Sequence, residues 1–416
     1  MTMKRYESYK PSDISWIGEI PSHWEVKRLG AFLARFNSDS GDTNIKIGLE
    51  NITSWTGKFI KTDTIYDGKG SYFEKGDILY GKLRPYLAKT WVAEFNGQAV
   101  GDFYVLRCKN SSYNHFVKLL LLNKQLVYLL DSFTYGAKMP RVSWNDMSRV
   151  YIPYPPLDEQ KKIVEYLSTK TSLIDAQQSA REKEIRLLEE LKQAEIANVV
   201  TRGLNPDVPM KDSGIPWIGQ IPAHWEIMRM KRIFSESNEK TDSEGGCLLS
   251  LSQYTGITPK IEGQKIGMFE AESTIGYNIV HPGQFVMNIM LAWNGSYALS
   301  EYEGIISPAY SVFNFNFDCE KKYFHYLIRL HSYAGAFKTQ SRGIIESRLR
   351  LYPNYFYQFP CIVPPIEEQR AIVEFIEQKN KAIDDMIANL RAEIDFLTEY
   401  KQRLIADAVT GQIKID

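Results

Sequence analysis

At 416 residues the chain is long enough for two or more domains, each with its own buried core. Its 44% hydrophobic and 24% charged residues are those of an ordinary soluble globular protein, and no segment nears the ~20 apolar residues that span a bilayer. The formal net charge of zero argues at first against a nucleic-acid partner, but distribution matters more than the sum. The first residues, MTMKRYESYK, lack an apolar signal core, so a cytoplasmic location is expected. Cys108, Cys247, Cys319 and Cys361 are scattered without a C-x-x-C pair and read as buried thiols, not as a metal site.

In chain order, the first landmark is Trp16-Ile17-Gly18-Glu19-Ile20-Pro21-Ser22-His23-Trp24-Glu25. The motif reads as structural: two Trp and a Pro anchor a module, and no nearby Ser, Cys or Asp is evidently paired with His23. Residues 26–150 then hold 18 Lys/Arg against 11 Asp/Glu. β-rich runs at Gly76–Tyr80 and Val100–Arg107, and a helical stretch at Asn114–Leu130, predict a mixed α/β globule. Within it, Lys82, Arg84, Tyr86 and Lys89 interleave cations with an aromatic ring after a predicted strand. A small-residue loop, 136–141, adds Lys138 and Arg141. Such side chains suit DNA: most cations in an interface hold phosphates, while a few read base edges.

Pro155-Pro156 is a sound helix start, since proline lacks an N–H and its φ fits the first turn. Asp158 and Glu159 follow, where the helix dipole favours acid. The helix predicted from there runs past residue 200 without Gly or Pro, roughly 60 Å long at 1.5 Å per residue. Ile163, Ile174, Ile185 and Ile196 recur every eleven residues, thickened by Leu167 and Leu188. That period implies a nearly straight or slightly right-handed pairing. Gln178, Arg181, Lys192 and Glu195 interrupt the stripe, either to meet another protein or to pair across helices.

The landmarks then repeat, although the two copies differ widely between them. The tryptophan landmark returns at Trp217–Glu226, an offset of 201, and Pro155-Pro156-Leu157-Asp158-Glu159-Gln160 returns as Pro364-Pro365-Ile366-Glu367-Glu368-Gln369, an offset of 209. Gly283–Leu291 and Ser311–Phe317 read as strands, and Lys321–Phe337 as helix. Residues 227–360 carry 13 basic and 12 acidic side chains, so any basic face is local, within 321–350. Candidate DNA contacts at the matched places are Asn288, Trp293, Asn294, Arg342, Arg348 and Arg350. The second helix repeats the stripe with Ile372, Ile376, Ile383, Ile394, Leu397 and Ile405, and also fits heptads, leaving handedness open. An apolar stripe needs a partner, and two helices of this length are expected to pack on each other, antiparallel.

With these junctions and Ile-Pro-x-His-Trp openings, the chain resembles the specificity (S) subunit of Type I restriction–modification systems over essentially its full length. The resemblance implies an α+β protein in which two similar mixed α/β target-recognition domains, 1–155 and 206–363, are separated by helical repeats, 156–205 and 364–416. Those repeats form an antiparallel coiled coil with pseudo-two-fold symmetry. It further implies a sequence-specific DNA-binding subunit that recognises a bipartite double-stranded target and is not itself catalytic. It would direct two methyltransferase subunits and further restriction subunits in a DNA methylation and restriction complex. No cofactor is expected on this chain; S-adenosylmethionine, ATP and Mg²⁺ belong to the partners.

The residues agree with that division. Tyr154-Pro155-Pro156-Leu157 and Val363-Pro364-Pro365-Ile366 lack the Asn/Asp and aromatic flanks of an adenine methyltransferase motif, and no G-x-x-x-x-G-K-[ST] loop occurs. Asp13, Glu25 and Lys27 mimic a nuclease triad, but the second copy has Met228 for the lysine.

Overall fold

A computed structural model describes residues 4–38, 45–109, 113–136, 138–253, 255–260, 273–343 and 349–415. The chain divides into two compact units, residues 1–183 with 390–416, and residues 184–389. The predicted helices are Leu157–Arg202 and Ile366–Val409, and each contributes to both units.

In the first unit a four-stranded antiparallel sheet runs in the order Leu33–Phe36, Phe103–Cys108, Ile78–Gly81, Thr90–Val92. Its strands Phe103–Cys108, Ile78–Gly81 and Thr90–Val92 bury apolar side chains on both faces because each face meets a different core. Alternation at period two sends Ile78, Tyr80, Tyr104 and Leu106 to one side, against the helix Asn114–Leu121 and both long helices. Leu79, Trp91, Phe103 and Val105 go to the other, against a three-stranded sheet made of Lys46–Ile47, Gly97–Ala99 and Ser71–Phe73. The ribbon of Glu25–Arg28 with Tyr151–Tyr154 leads directly into the first long helix.

The second unit repeats this order with Phe234–Glu236, Tyr310–Phe315, Phe285–Asn288 and Tyr297–Leu299. Phe285, Met287 and Phe313 face the core that holds the long helices, whereas Val286, Ala298 and Val312 face Leu249, Leu251, Ile257, Val280 and Ile306. Glu226–Arg229 pairs with Pro360–Val363, as its counterpart does in the first unit.

The two sequence landmarks are halves of one joint. In the first unit Trp24 Nε1 donates to Glu159 at 2.9 Å, His23 Nε2 pairs with the same carboxylate at 2.9 Å, and the Tyr6 hydroxyl donates to it as well. In the second, Trp225 Nε1 and His224 Nε2 lie 2.9 and 2.6 Å from Glu368. The next residue, Gln160, is buried; it donates to Pro155 O at 2.8 Å and accepts the Tyr113 N–H at 2.9 Å, where the Asn114–Leu121 helix begins. Gln369 does the same between Pro364 O and the Glu320 N–H. The Pro-Pro-x-x-Glu-Gln segment thus bolts each long helix to its module, and the histidine serves the joint.

The long helices pair within each unit. In the first, Asp175 meets Lys401, Gln178 Nε2 donates to Thr398 at 2.7 Å, and Arg181 lies 3.0 Å from Glu393, a descending register that makes the pair antiparallel. In the second, Lys192 meets Asp384 at 2.7 Å while Ile196 and Val200 share a core with Ile372 and Ile376. Asp175–Lys401 and Asp384–Lys192 are the same pair under the 209-residue offset. Three of the four residues that break the stripe, Gln178, Arg181 and Lys192, therefore make polar pairs across the helices. Ile163, Leu167, Ile174, Ile196, Ile372, Ile376 and Ile383 are buried, whereas Ile185, Leu188, Ile394, Leu397 and Ile405 are half-buried.

Three expectations need correction. The helix predicted over 114–130 is two helices, because the Asn123 side chain accepts the Gln125 and Leu126 N–H groups and caps a new start at Lys124–Ser132. Its counterpart likewise breaks into Lys321–Ile328 and His331–Gln340. Of the thiols only Cys361 is buried; Cys247 is exposed and Cys108 and Cys319 are intermediate. Among the described residues no helix is long and apolar enough to cross a membrane.

Candidate nucleic-acid interface

In the first unit the strand Ile78–Gly81 runs out of the sheet into Lys82, whose N–H donates to Asp102 O at 2.9 Å and whose carbonyl accepts the Val142 N–H at 3.1 Å. Tyr135 and Arg141 close over this end, exchanging backbone bonds of 3.1 and 3.0 Å, and Arg84 N–H donates to Pro140 O at 2.8 Å. Arg84 and Ala88 bracket the turn Pro85–Leu87 in the left-handed region, at φ 50° and 47°. Such backbone costs about 1–3 kcal/mol per residue and persists only where its surroundings enforce it, a feature concentrated at functional loops.

This platform gathers cations and rings. Arg84 and Lys138 are exposed and make no side-chain hydrogen bond or ion pair among the described residues. Tyr86, Tyr135 and Met139 are exposed beside them. Arg35 and Lys82 sit over the Tyr104 ring, 4.9 and 5.4 Å from its centroid. One carboxylate lies among these cations: Asp102 accepts from Arg141 Nε and Nη2 at 2.9 and 2.8 Å and lies 3.6 Å from Lys82 Nζ. Arg141, aided by Lys82, holds the Asp102 carboxyl below its usual range, and Asp102 in turn raises the guanidinium. Lys89 is different. Its ammonium donates to Leu49 O at 2.7 Å and burial lowers its pKa, so its charge is turned to the fold.

The second unit rebuilds the platform with other side chains. Ile289 stands where Lys82 does, taking the Leu351 N–H at 2.8 Å and donating to Ala309 O at 3.3 Å. Arg342 and Arg350 exchange backbone bonds of 2.9 Å at the matching place, and both side chains are exposed. Arg342 lies 5.0 Å from the Tyr355 ring centroid and Lys338 lies 5.3 Å from that of Trp293, whose indole N–H donates to Met290 O. Asn294 is exposed. Asn288 is buried, its Oδ1 accepting the Met290 N–H at 3.0 Å, so its amide serves the turn. Arg348 lies outside the described residues.

The basic excess of 321–350 narrows on inspection. Lys322 pairs with Glu377, and Arg329 points inward to the carbonyls of Tyr297 and Gln253. Lys338, Arg342 and Arg350 form the cluster that remains. Sequence reasoning missed Arg35, Asp102, Tyr104 and Tyr135, since sheet pairing and the Tyr135–Arg141 closure bring them together and no local motif marks them. The triad mimic does not assemble: Lys27 pairs with Glu25 at 2.7 Å and covers the Tyr154 ring, while Asp13 lines a separate cavity with Trp16, Asp146 and Arg149.

Residues 21–187 match the family model of the Type I restriction modification DNA specificity domain. The chain is 24% identical to the Type I restriction enzyme MjaVIII specificity subunit of Methanocaldococcus jannaschii, over 95% of this chain and 94% of that one. Among solved structures it is similar to a chain from work on complex assembly and conformational transition of the type I R-M system, with TM-score 0.72 and 17% identity over 95% of this chain and 99% of that one. It is also similar to the HsdS subunit from Thermoanaerobacter tengcongensis, with TM-score 0.57 and 19% identity over 95% and 98%. These two likenesses concern the fold.

Proposed function

We propose that the chain is a specificity subunit of a Type I restriction–modification system and that it reads a bipartite duplex target, one half with each module. The observation that carries this reading is the repeated platform: in each unit a sheet strand ends beside a backbone-bonded arginine, Arg141 or Arg350, and cations lie over aromatic rings there, Arg35 and Lys82 over Tyr104 and Arg342 over Tyr355. The proposed contacts are Lys82, Arg84, Tyr86, Lys138 and Arg141 in the first unit, and Trp293, Asn294, Arg342 and Arg350 in the second. The long helices dock two methyltransferase subunits and set the spacer between the half-sites. Restriction subunits join that core in the cytoplasm.

The chain itself performs no bond chemistry in this proposal. Methyl transfer from S-adenosylmethionine and ATP- and Mg²⁺-dependent steps reside on the partner subunits. Protein and duplex meet through cations that displace counterions from the phosphates, so the logarithm of affinity falls linearly with the logarithm of salt.

The test is duplex binding by the chain with its methyltransferase subunits across a salt series. Binding that depends on sequence and weakens steeply with salt supports the proposal. Sequence-independent binding, or none, leaves the modules as protein-binding adaptors. Deleting whole helical turns within 157–200 should also change the spacer length, and an unchanged spacer removes the ruler role of the helices.

A further inference from the structure

We propose that Arg141 reads a guanine in the first half of the target and that Asp102 is the positioning residue that presents it, an inference that rests on the DNA-reading role above. Arg carries five N–H donors in a rigid plane. Asp102 takes the pair on one side, Nε and Nη2. The end of the fork, one N–H on Nη1 and the second on Nη2, stays available, apart from a long 3.4 Å approach of Nη1 to Met139 O. Two parallel donors match the O6 and N7 acceptors of guanine, whereas adenine offers one acceptor and one donor at the same edge.

The carboxylate is not required to hold the Arg141 backbone. Backbone bonds from Tyr135, Arg141, Arg84 and Val142 already fix it to the strand end. The second unit supplies an internal control. Arg350 occupies the position of Arg141, and Ala309, by the same backbone bond, that of Asp102. Among the described residues no carboxylate pairs with Arg350 there, yet its backbone bonds to Arg342 still form. Asp102 also weakens phosphate attraction in a cluster containing Arg35, Lys82, Arg84 and Lys138, an arrangement that suits aiming one side chain better than holding a backbone. Tyr104 completes the support: its ring lies under Lys82 and Arg35, and its hydroxyl donates to Val142 O at 3.0 Å, next to Arg141.

The experiment measures binding of a randomised duplex library by the full-length chain with its methyltransferase subunits, at fixed salt. Arg141→Lys keeps the charge and loses the fork; Asp102→Asn keeps the shape and loses the second strong acceptor; Arg350→Lys is the comparison in the second unit. The expected parent requirement is a G·C pair at one position of one half. Arg141→Lys should lose that preference about tenfold to hundredfold, and Asp102→Asn several-fold, with the other half of the target still read in full. That intact half also shows that the variants are folded. Arg350→Lys should leave the position unchanged. If the parent discriminates sequences but Arg141→Lys keeps every preference, or weakens all sequences alike, Arg141 is a phosphate contact and the inference fails. A parent without sequence preference overturns the specificity reading itself.

Discussion

Glu159→Ala removes the acceptor at the centre of the first joint. The Trp24 side chain is fully buried, so its indole N–H loses its partner where water does not replace it, at about 1–3 kcal/mol. The half-buried Tyr6 hydroxyl loses a charged acceptor, and the helix loses an acidic group in its first turn, about 0.3–1 kcal/mol. The expected total is about 3 kcal/mol. Glu368→Ala should cost about half as much, because the Glu368 side chain is 39% exposed against 15% for Glu159 and receives no tyrosine. Two units need not unfold together, so a single global transition is the wrong measurement. Native-state hydrogen exchange reads them separately, through amides of Asn114–Leu121 and Lys321–Ile328. Glu159→Ala should lower protection in the first set only, by a larger free energy than Glu368→Ala lowers it in the second. Equal losses in both sets, or a loss under about 0.5 kcal/mol for Glu159→Ala, would refute the joint.

Four further outcomes follow from local chemistry. Burial lowers the His325 imidazole from 6.5 to about 3. The unfolded chain therefore binds its proton first, and the stability of the second unit should fall as pH drops from about 6.5 toward 3, by up to about 1.4 kcal/mol per pH unit. Urea midpoints for His325→Asn should lose most of that slope. Asn123→Ala should cost about 1 kcal/mol by uncapping the helix Lys124–Ser132, measured by native-state hydrogen exchange in the first unit against Asn123→Ser. Burial favours the neutral form of Asp175, but Lys401 and Lys58 outweigh it and hold the carboxyl below its usual value. Its contribution is thus present above the ordinary carboxylate range and lost as pH falls through the depressed value. Lys192→Ala, at an exposed pair, should cost under about 1 kcal/mol and less still in high salt.

Much of the architecture was legible because it is periodic or repeated. The recurrence of Ile-Pro-x-His-Trp and Pro-Pro-x-x-Glu-Gln marked the modules, and the isoleucine spacing marked the helix faces. That Trp24 and Glu159 touch was not legible, since 135 residues separate them and only the folded ribbon joins them. The candidate interface was read with the same asymmetry. Local clusters revealed Lys82, Arg84 and Arg141, but strand register brings Arg35 to Tyr104 and the Tyr135–Arg141 closure brings Asp102 to Arg141. Composition also cannot tell where a charge points: Lys89 turns to the Leu49 carbonyl and Arg329 to the sheet, while Asn288 caps its own turn.

Replacing residues 26–150 with the corresponding stretch of a relative of different specificity, then mapping every methylated site in a host carrying the whole system, tests the two-reader account most directly. It should alter one half of the methylated sequence and preserve the other half intact. A change in both halves, or in neither, would contradict it.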